Sequence, residues 1–143
     1  MFEVLMSLSI GDVFYRWVDF ETNPHHKFFI LVAKRPKRFF FINSDIPQFI
    51  LRSPQLTNQQ IEVPSTEHSF LSHDSYANCM ATIDTSEIRN VSDFHEVPEN
   101  DRRGVVSISV LQAIYQAIRV NETLEEEDRE DIENQLRAEL TSR

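Results

Sequence analysis

The spacing of apolar residues changes once along this chain, close to Gly104, and this change limits the possible folds more than any other feature. Before Gly104, apolar residues occur in short runs and alternating segments, a pattern typical of β-strands. After it, four apolar residues recur at the spacing of an amphipathic helix: Leu111, Ile114, Tyr115 and Ile118. Strands first and helices last predict an α+β protein that is mainly β, with a small, strongly bent sheet.

The strand predictions rest on β-branched and aromatic residues bounded by turn residues. Segments 28–33 and 39–43 flank a charged turn at 34–38 and are predicted to form a hairpin. Because 28–33 is apolar throughout, this strand is expected to be buried on both faces. The loop at 44–58 has room for a short helical turn. The remaining predicted strands are 10–20, 60–63, the later part of 73–84, and 88–91.

Two helices are predicted after Gly104, the first over about 107–120. The second is predicted to start at Thr123, whose hydroxyl and the Glu126 carboxylate have the spacing of a capping box. An apolar stripe on the second helix is narrow, so it is expected to contact one neighbour, either the barrel of this chain or another chain. The stripe consists of Ile132, Leu136 and Leu140.

Composition excludes several classes of protein and site. With only two glycines, the chain has no glycine-rich phosphate-binding loop. Its one cysteine, Cys79, allows no internal disulfide and no multi-cysteine zinc site, which favours a cytoplasmic location. The N-terminus does not have the pattern of a secretory signal, and no apolar run reaches the roughly 18 residues of a membrane helix. A length of 143 residues fits a single domain over 1–143.

Charge is distributed unevenly along the chain, although the net charge is −9. Residues 27–52 contain six bases and one acid, whereas residues 105–143 contain nine acids and four bases. This pattern is typical of a protein that shields its own basic segment or that pairs with a basic partner. Two independently solvated faces would give the same pattern.

The order of several short motifs resembles the MazF/PemK/CcdB group of toxins. Members begin with Gly-Asp-Val-aromatic followed by an aromatic and Val-Asp pairs, and this chain has Gly11-Asp-Val-Phe-Tyr15 and Trp17-Val-Asp-Phe20. An apolar strand follows at 28–33, then a strand ending in the polar motif Ile42-Asn-Ser44. Later motifs match at His73-Asp-Ser-Tyr76 through Ile83-Asp84 and in the helix after Gly104. The resemblance covers about residues 8–120.

The resemblance implies a small SH3-like β-barrel at about 8–104 and a packing helix at 105–120. The acidic C-terminal helix at 123–141 lies beyond the resemblance and is predicted from its own sequence pattern. It also implies a toxin of a toxin–antitoxin system, an mRNA interferase-like endoribonuclease that cleaves single-stranded RNA without a metal or other cofactor. A homodimer and an acidic antitoxin protein as partner are part of the same expectation. In the family, the 2′-hydroxyl attacks the adjacent phosphate, assisted by a basic residue and a hydroxyl.

The family's arginine before the second strand is absent here, and His25-His26-Lys27 stands in its place. We therefore predict that Lys27 neutralises the phosphate and that His26 moves a proton, because histidine titrates near neutral pH. Ser44 is predicted to assist as the hydroxyl. The predicted RNA-binding residues are Lys34, Arg35, Lys37, Arg38, Arg52 and His73.

Purely structural roles would equally explain the presence of these candidate site residues. His26 and Lys27 are also typical of a polar loop entering a buried strand, and Ser44 of a residue that caps a turn. The spacing of His68, His73 and Asp74 does not favour a metal site, and a turn stabilised by bonds to backbone amides is the simpler interpretation.

Two further functions are compatible with the sequence. A catalytically inactive SH3-like barrel would serve as a protein-interaction module, which the missing arginine and the acidic net charge favour. Alternatively, the acidic tail at 122–139 would mimic nucleic acid and inhibit a nucleic-acid-binding protein. Removal of the tail would then abolish binding and leave the barrel intact.

Overall fold

A computed structural model of the protein describes residues 8–19, 24–83 and 101–143, which form a curled sheet backed by helices. The strands are β1 (Asp12–Val18), β2 (His25–Lys34), β3 (Lys37–Asn43), β4 (Gln60–Val63), β5 (Ser75–Asn78) and β6 (Arg102–Val105). The helices are α1 (Gln48–Leu51), α2 (Pro54–Thr57), α3 (Ile108–Arg119) and α4 (Glu126–Thr141).

The six strands form one antiparallel sheet in the order β4-β5-β3-β2-β1-β6. It curls into a half-barrel and is followed by two C-terminal helices. The predicted fold class, α+β and mainly β with a small barrel before two helices, is therefore confirmed at this level. The predicted hairpin of β2 and β3 is present and lies at the centre of the sheet.

Apolar side chains fill both faces of the central hairpin. Residues 29–33 of β2 are all buried, which confirms the prediction of a strand covered on two sides. One face and the helices enclose the main core, to which Phe40 contributes, while Phe39 belongs to a second cluster on the opposite face. Alternation along a strand explains why consecutive phenylalanines enter different clusters.

The loop after β4 joins the two edges of the sheet through the buried side chain of His68. The Nε2 atom of His68 accepts a hydrogen bond of 2.9 Å from the Ser107 amide, so the ring proton is on Nδ1. Nδ1 donates a hydrogen bond of 2.7 Å to the Pro64 carbonyl. Pro64 directly follows β4, and Ser107 lies two residues after β6. Phe70 from the same loop packs on Gly104, where an added Cβ would lie 2.7 Å from the phenyl ring.

Helix α4 packs on the protein's own core. Ile132 and Leu136 are completely buried in the main cluster, and Leu140 packs against it. The sequence allows this apolar stripe to contact either the same chain or another chain. In the described structure it contacts the same chain. Cys79 is also buried in this cluster, and burial raises the pKa of its thiol well above the usual range.

The predicted capping box at the start of the second helix is wrong. Helix α4 begins at Glu126, and its N-cap residue Glu125 makes no side-chain capping bond. The hydroxyl of Thr123 instead donates to the Met80 carbonyl at 2.6 Å. The buried side-chain oxygen of Asn121 accepts hydrogen bonds from the backbone amides of Thr123 and Leu124. Asn121 therefore stabilises the turn before α4 in place of the predicted capping box.

Two other local predictions differ from the structure. Strand β2 begins at His25, so His26 and Lys27 lie inside the strand rather than in the loop before it. Strand β6 was not predicted, because Arg-Arg-Gly-Val has no strand pattern. It pairs with β1, and Arg102 also forms an ion pair of 3.0 Å with Asp12 of that strand. The strand predicted at 88–91 lies outside the described residues. Across the described ranges, no helix is long and apolar enough to cross a membrane.

Candidate functional site

A cavity of about 340 Å³ is present where β2 begins and β3 ends. Its lining includes all three residues predicted to be catalytic, namely His26, Lys27 and Ser44, together with His73. These residues come from β2, from the turn after β3 and from the segment before β5. The antiparallel pairing of β2 with β3 and of β3 with β5 brings these three segments together.

His73 is held in one tautomer by its neighbours. Its Nδ1 lies 3.0 Å from the Asp74 carbonyl oxygen, which can only accept, so Nδ1 carries the proton of the neutral ring. The Ser75 hydroxyl lies 3.3 Å from the same nitrogen and donates to the His73 carbonyl at 3.2 Å. The unprotonated Nε2 is then the basic atom of the exposed His73 ring.

Asp74 stabilises the loop from which His73 projects. Its Oδ1 accepts from the Ser65 amide at 2.9 Å and from the Ser65 hydroxyl at 3.0 Å. These two bonds lower the pKa of the Asp74 carboxyl, with a further lowering by the neighbouring His73. This confirms the sequence-based interpretation that a residue of this segment bonds a backbone amide.

Lys27 and His26 project to opposite faces of β2, because they are consecutive residues of one strand. The Lys27 ammonium donates to the Asn43 side-chain carbonyl and lies 5.2 Å from the centroid of the Phe41 ring. Burial lowers the pKa of Lys27. The His26 ring contacts Tyr15 and Trp17 instead. His26 is therefore on the face of the sheet that carries the cavity's aromatic residues, whereas the Lys27 ammonium is on the other face.

Four rings on one face of β1 and β2 form a surface that we term the aromatic platform, defined as Tyr15, Trp17, His26 and Phe28. Trp17 pairs with His26 across the strands, and Tyr15 pairs with Phe28. His26 stacks on Tyr15 at 5.1 Å between centroids and meets Trp17 edge-on at 5.3 Å. Trp17 remains 55% exposed. Sequence reasoning missed Tyr15 and Trp17, although their alternation on one strand face signals a shared surface.

The basic residues predicted to bind RNA lie mainly at the other end of the hairpin. From Lys27 to Lys34 the strand advances about 23 Å, at about 3.3 Å per residue, so the turn at 34–38 is distant from the cavity. Among the predicted RNA-binding residues, only His73 lines the cavity. Arg52 is exposed and follows α1.

The acidic helix α4 covers part of this basic turn. Arg38 forms ion pairs of 2.7 Å with both Asp128 and Asp131, and all three side chains are partly buried. The Gln135 side chain also accepts from the Lys34 amide at 2.7 Å and donates to the Arg35 carbonyl at 3.0 Å. Self-shielding, one of the alternatives from the charge pattern, therefore occurs at Arg38.

Replacement of Arg38 with methionine is expected to lower the free energy of unfolding by about 1–2 kcal/mol, between the values for exposed and buried ion pairs. The reason is that Asp128 and Asp131 lose their shared cation. Urea unfolding at low and high salt measures the effect, and the loss should shrink at high salt. Arg35→Met, on the exposed part of the turn, is the control and should change little. An equal loss in both variants would contradict the role of Arg38.

Comparison with known proteins finds no match to this chain among family models, curated proteins or solved structures.

Proposed function

We propose that this protein is a MazF/PemK-like toxin that cleaves single-stranded RNA without a metal, acting in the cytoplasm. The observation that carries the proposal is that His26, Ser44 and His73, which are distant in sequence, line one cavity. Two imidazoles and a hydroxyl around one space provide the acid, the base and the hydrogen-bond donor that transfer of a phosphoryl group to a 2′-hydroxyl needs.

The tautomer of His73 supports a role for this residue as the base, which leaves the role of the acid to His26. Its Nε2 takes the proton of the 2′-hydroxyl while that oxygen forms a bond to phosphorus. His26, as imidazolium, gives a proton to the departing 5′-oxygen when the bond from phosphorus to that oxygen breaks. The products are a 2′,3′-cyclic phosphate and a 5′-hydroxyl. Ser44 donates to a non-bridging phosphate oxygen, and Lys27 adds positive potential from behind the strand.

The test is cleavage of a labelled single-stranded oligoribonucleotide in the presence of EDTA. We expect His26→Gln and His73→Gln each to lower the rate by about 100-fold or more, because each removes a proton-transfer group. Glu67→Gln, an exposed change in the loop that carries His73, is the matched control and should leave the rate unchanged.

A DNA strand of the same sequence should remain intact, because it lacks the attacking hydroxyl. Absence of cleavage by the wild type, or full activity in both histidine variants, would refute the proposal. Cleavage that starts only when a divalent cation is added would refute its metal-independent form.

The partners proposed with this function are an acidic antitoxin protein and a second copy of the chain. Because Arg38 is already paired with Asp128 and Asp131, an antitoxin would contact the exposed remainder of the basic stretch, including Lys34, Arg35 and Arg52.

A second candidate function is a non-catalytic interaction module. The observation in its favour is a pair of exposed apolar side chains on α1, Phe49 at 62% and Leu51 at 49%. If the wild type binds RNA or protein but never cleaves, this function replaces the first. The third alternative, an acidic nucleic-acid mimic, requires a removable tail. Ile132 and Leu136 are part of the core, so removal of α4 would damage the fold rather than only the tail.

A further inference from the structure

The aromatic platform includes one large ring that remains exposed. In the described part of the chain, β6 pairs with β1 only at Asp12, Val13 and Phe14, so Trp17 lies beyond this pairing and has only β2 as its paired neighbour. Its indole is 55% exposed, whereas Phe14 and Val18 on the same strand are buried. A tryptophan that stays exposed beside other rings is typical of a surface that stacks a ligand.

The platform is continuous with the cavity. Tyr15, His26 and Phe28 line the cavity, and Trp17 extends their surface beyond it through its cross-strand pairing with His26. The centroids of the Tyr15 and Phe28 rings are 4.3 Å apart, so these two rings of the platform are in direct contact. A planar group that rests on Trp17 would therefore be adjacent to whatever occupies the cavity.

A cation accompanies the rings. The guanidinium of Arg103, on the neighbouring strand β6, lies 6.0 Å from the centroid of the Tyr15 ring. Arg103 is an exposed residue. Stacked rings next to an arginine match the two parts of a nucleotide, because bases stack on aromatic side chains and phosphates attract guanidinium groups.

We propose that the platform is a nucleobase-binding subsite for single-stranded RNA, in which a base stacks on Trp17 and His26 and a neighbouring phosphate approaches Arg103. Bases within a duplex are already stacked on each other, so the subsite selects single strands. The identity of the ligand as RNA rests on the proposed function, but binding at the platform is measurable without cleavage.

Trp17 is the only tryptophan in the chain, so its fluorescence reports on the platform directly. The probe is a 2′-O-methyl oligoadenylate of about ten residues, which has no free 2′-hydroxyl and cannot be cleaved by the proposed reaction. We expect saturable quenching of Trp17 emission. With a labelled form of the same probe, fluorescence anisotropy should show about tenfold weaker binding by Trp17→Ala, the loss expected for one stacked base.

Arg103→Gln should weaken binding at low salt. It should also lower the slope of log affinity against log salt concentration by about one, because one fewer counterion is released on binding. Val120→Ala, a change of an exposed apolar residue directly after α3, is the control and should bind like the wild type. Equal affinity of Trp17→Ala and wild type, or no quenching at saturation, would overturn the proposal. Equal quenching by a poly-glutamate peptide would also overturn it, because the platform would then recognise an acidic protein segment.

The two proposals fail in different ways. If the wild type quenches with the 2′-O-methyl probe but does not cleave RNA, the subsite stands and the ribonuclease function is lost. If RNA is cleaved with unchanged rate and KM by Trp17→Ala, the ribonuclease function stands and the subsite is lost.

Discussion

Replacement of His68 with leucine is expected to lower the free energy of unfolding by about 2–4 kcal/mol. Leucine fills a similar volume but bonds neither backbone group that the imidazole joins. The amide of Ser107 and the carbonyl of Pro64 would each lose a partner in a buried site, at about 1–3 kcal/mol for each group. His68 is only 2% exposed, so water cannot replace the lost bonds without a rearrangement.

The measurement is the urea midpoint followed by circular dichroism, with the slope of the transition unchanged from the wild type. His73→Gln is the matched control, because His73 is an exposed histidine in the same loop and should change stability by less than about 0.5 kcal/mol. A midpoint for His68→Leu equal to that of the wild type would show that the two edges of the sheet do not depend on this side chain.

The second large effect is expected for Asn121→Ala, about 3–4 kcal/mol of lost stability. The Asn121 amide nitrogen donates to the Gln59 side-chain oxygen at 2.7 Å and to the Cys79 carbonyl at 2.9 Å. Its oxygen accepts from the amides of Thr123 and Leu124. Alanine would leave several buried polar groups without partners and would free the turn between α3 and α4.

Thermal unfolding and amide hydrogen exchange together test this expectation, because the exchange should increase first in α4 if the turn is released. Asn134→Ala is the control, since Asn134 is exposed on α4 and alanine favours helices. If Asn121→Ala melts at the wild-type temperature, the hydrogen bonds around Gln59 do not hold the helices to the sheet.

The candidate site was only partly predictable from sequence. The resemblance to the toxin group predicts His26, Lys27 and Ser44 as site residues, and all three line the cavity. Their catalytic roles stay predictions. Sequence could not reveal that the Lys27 ammonium points away from His26, because the start of β2 was placed too late and alternation applies only once a residue is inside a strand. Nor could it select Trp17, whose exposure depends on what the other elements leave uncovered.

The charge pattern was also only partly interpretable from the sequence. The sequence contains a basic segment and an acidic tail, and either self-shielding or an external partner would account for them. Only the packing of α4 against the hairpin shows that Asp128 and Asp131 pair with Arg38. Helical periodicity identified the stripe of Ile132 and Leu136, but it does not specify which surface the stripe covers.

The sequence by itself determined that strands precede helices, that β2 and β3 form a hairpin and that β2 is buried on both faces, because these follow from local periodicity and turn residues. Tertiary structure alone decided the role of His68, the turn held by Asn121, the pairing of Arg38 and the union of His26, Ser44 and His73 around one cavity. The physical reason is that hydrogen bonds and ion pairs between residues distant in sequence leave no periodic signal. Their partners are set by the curvature of the sheet and by where each helix packs.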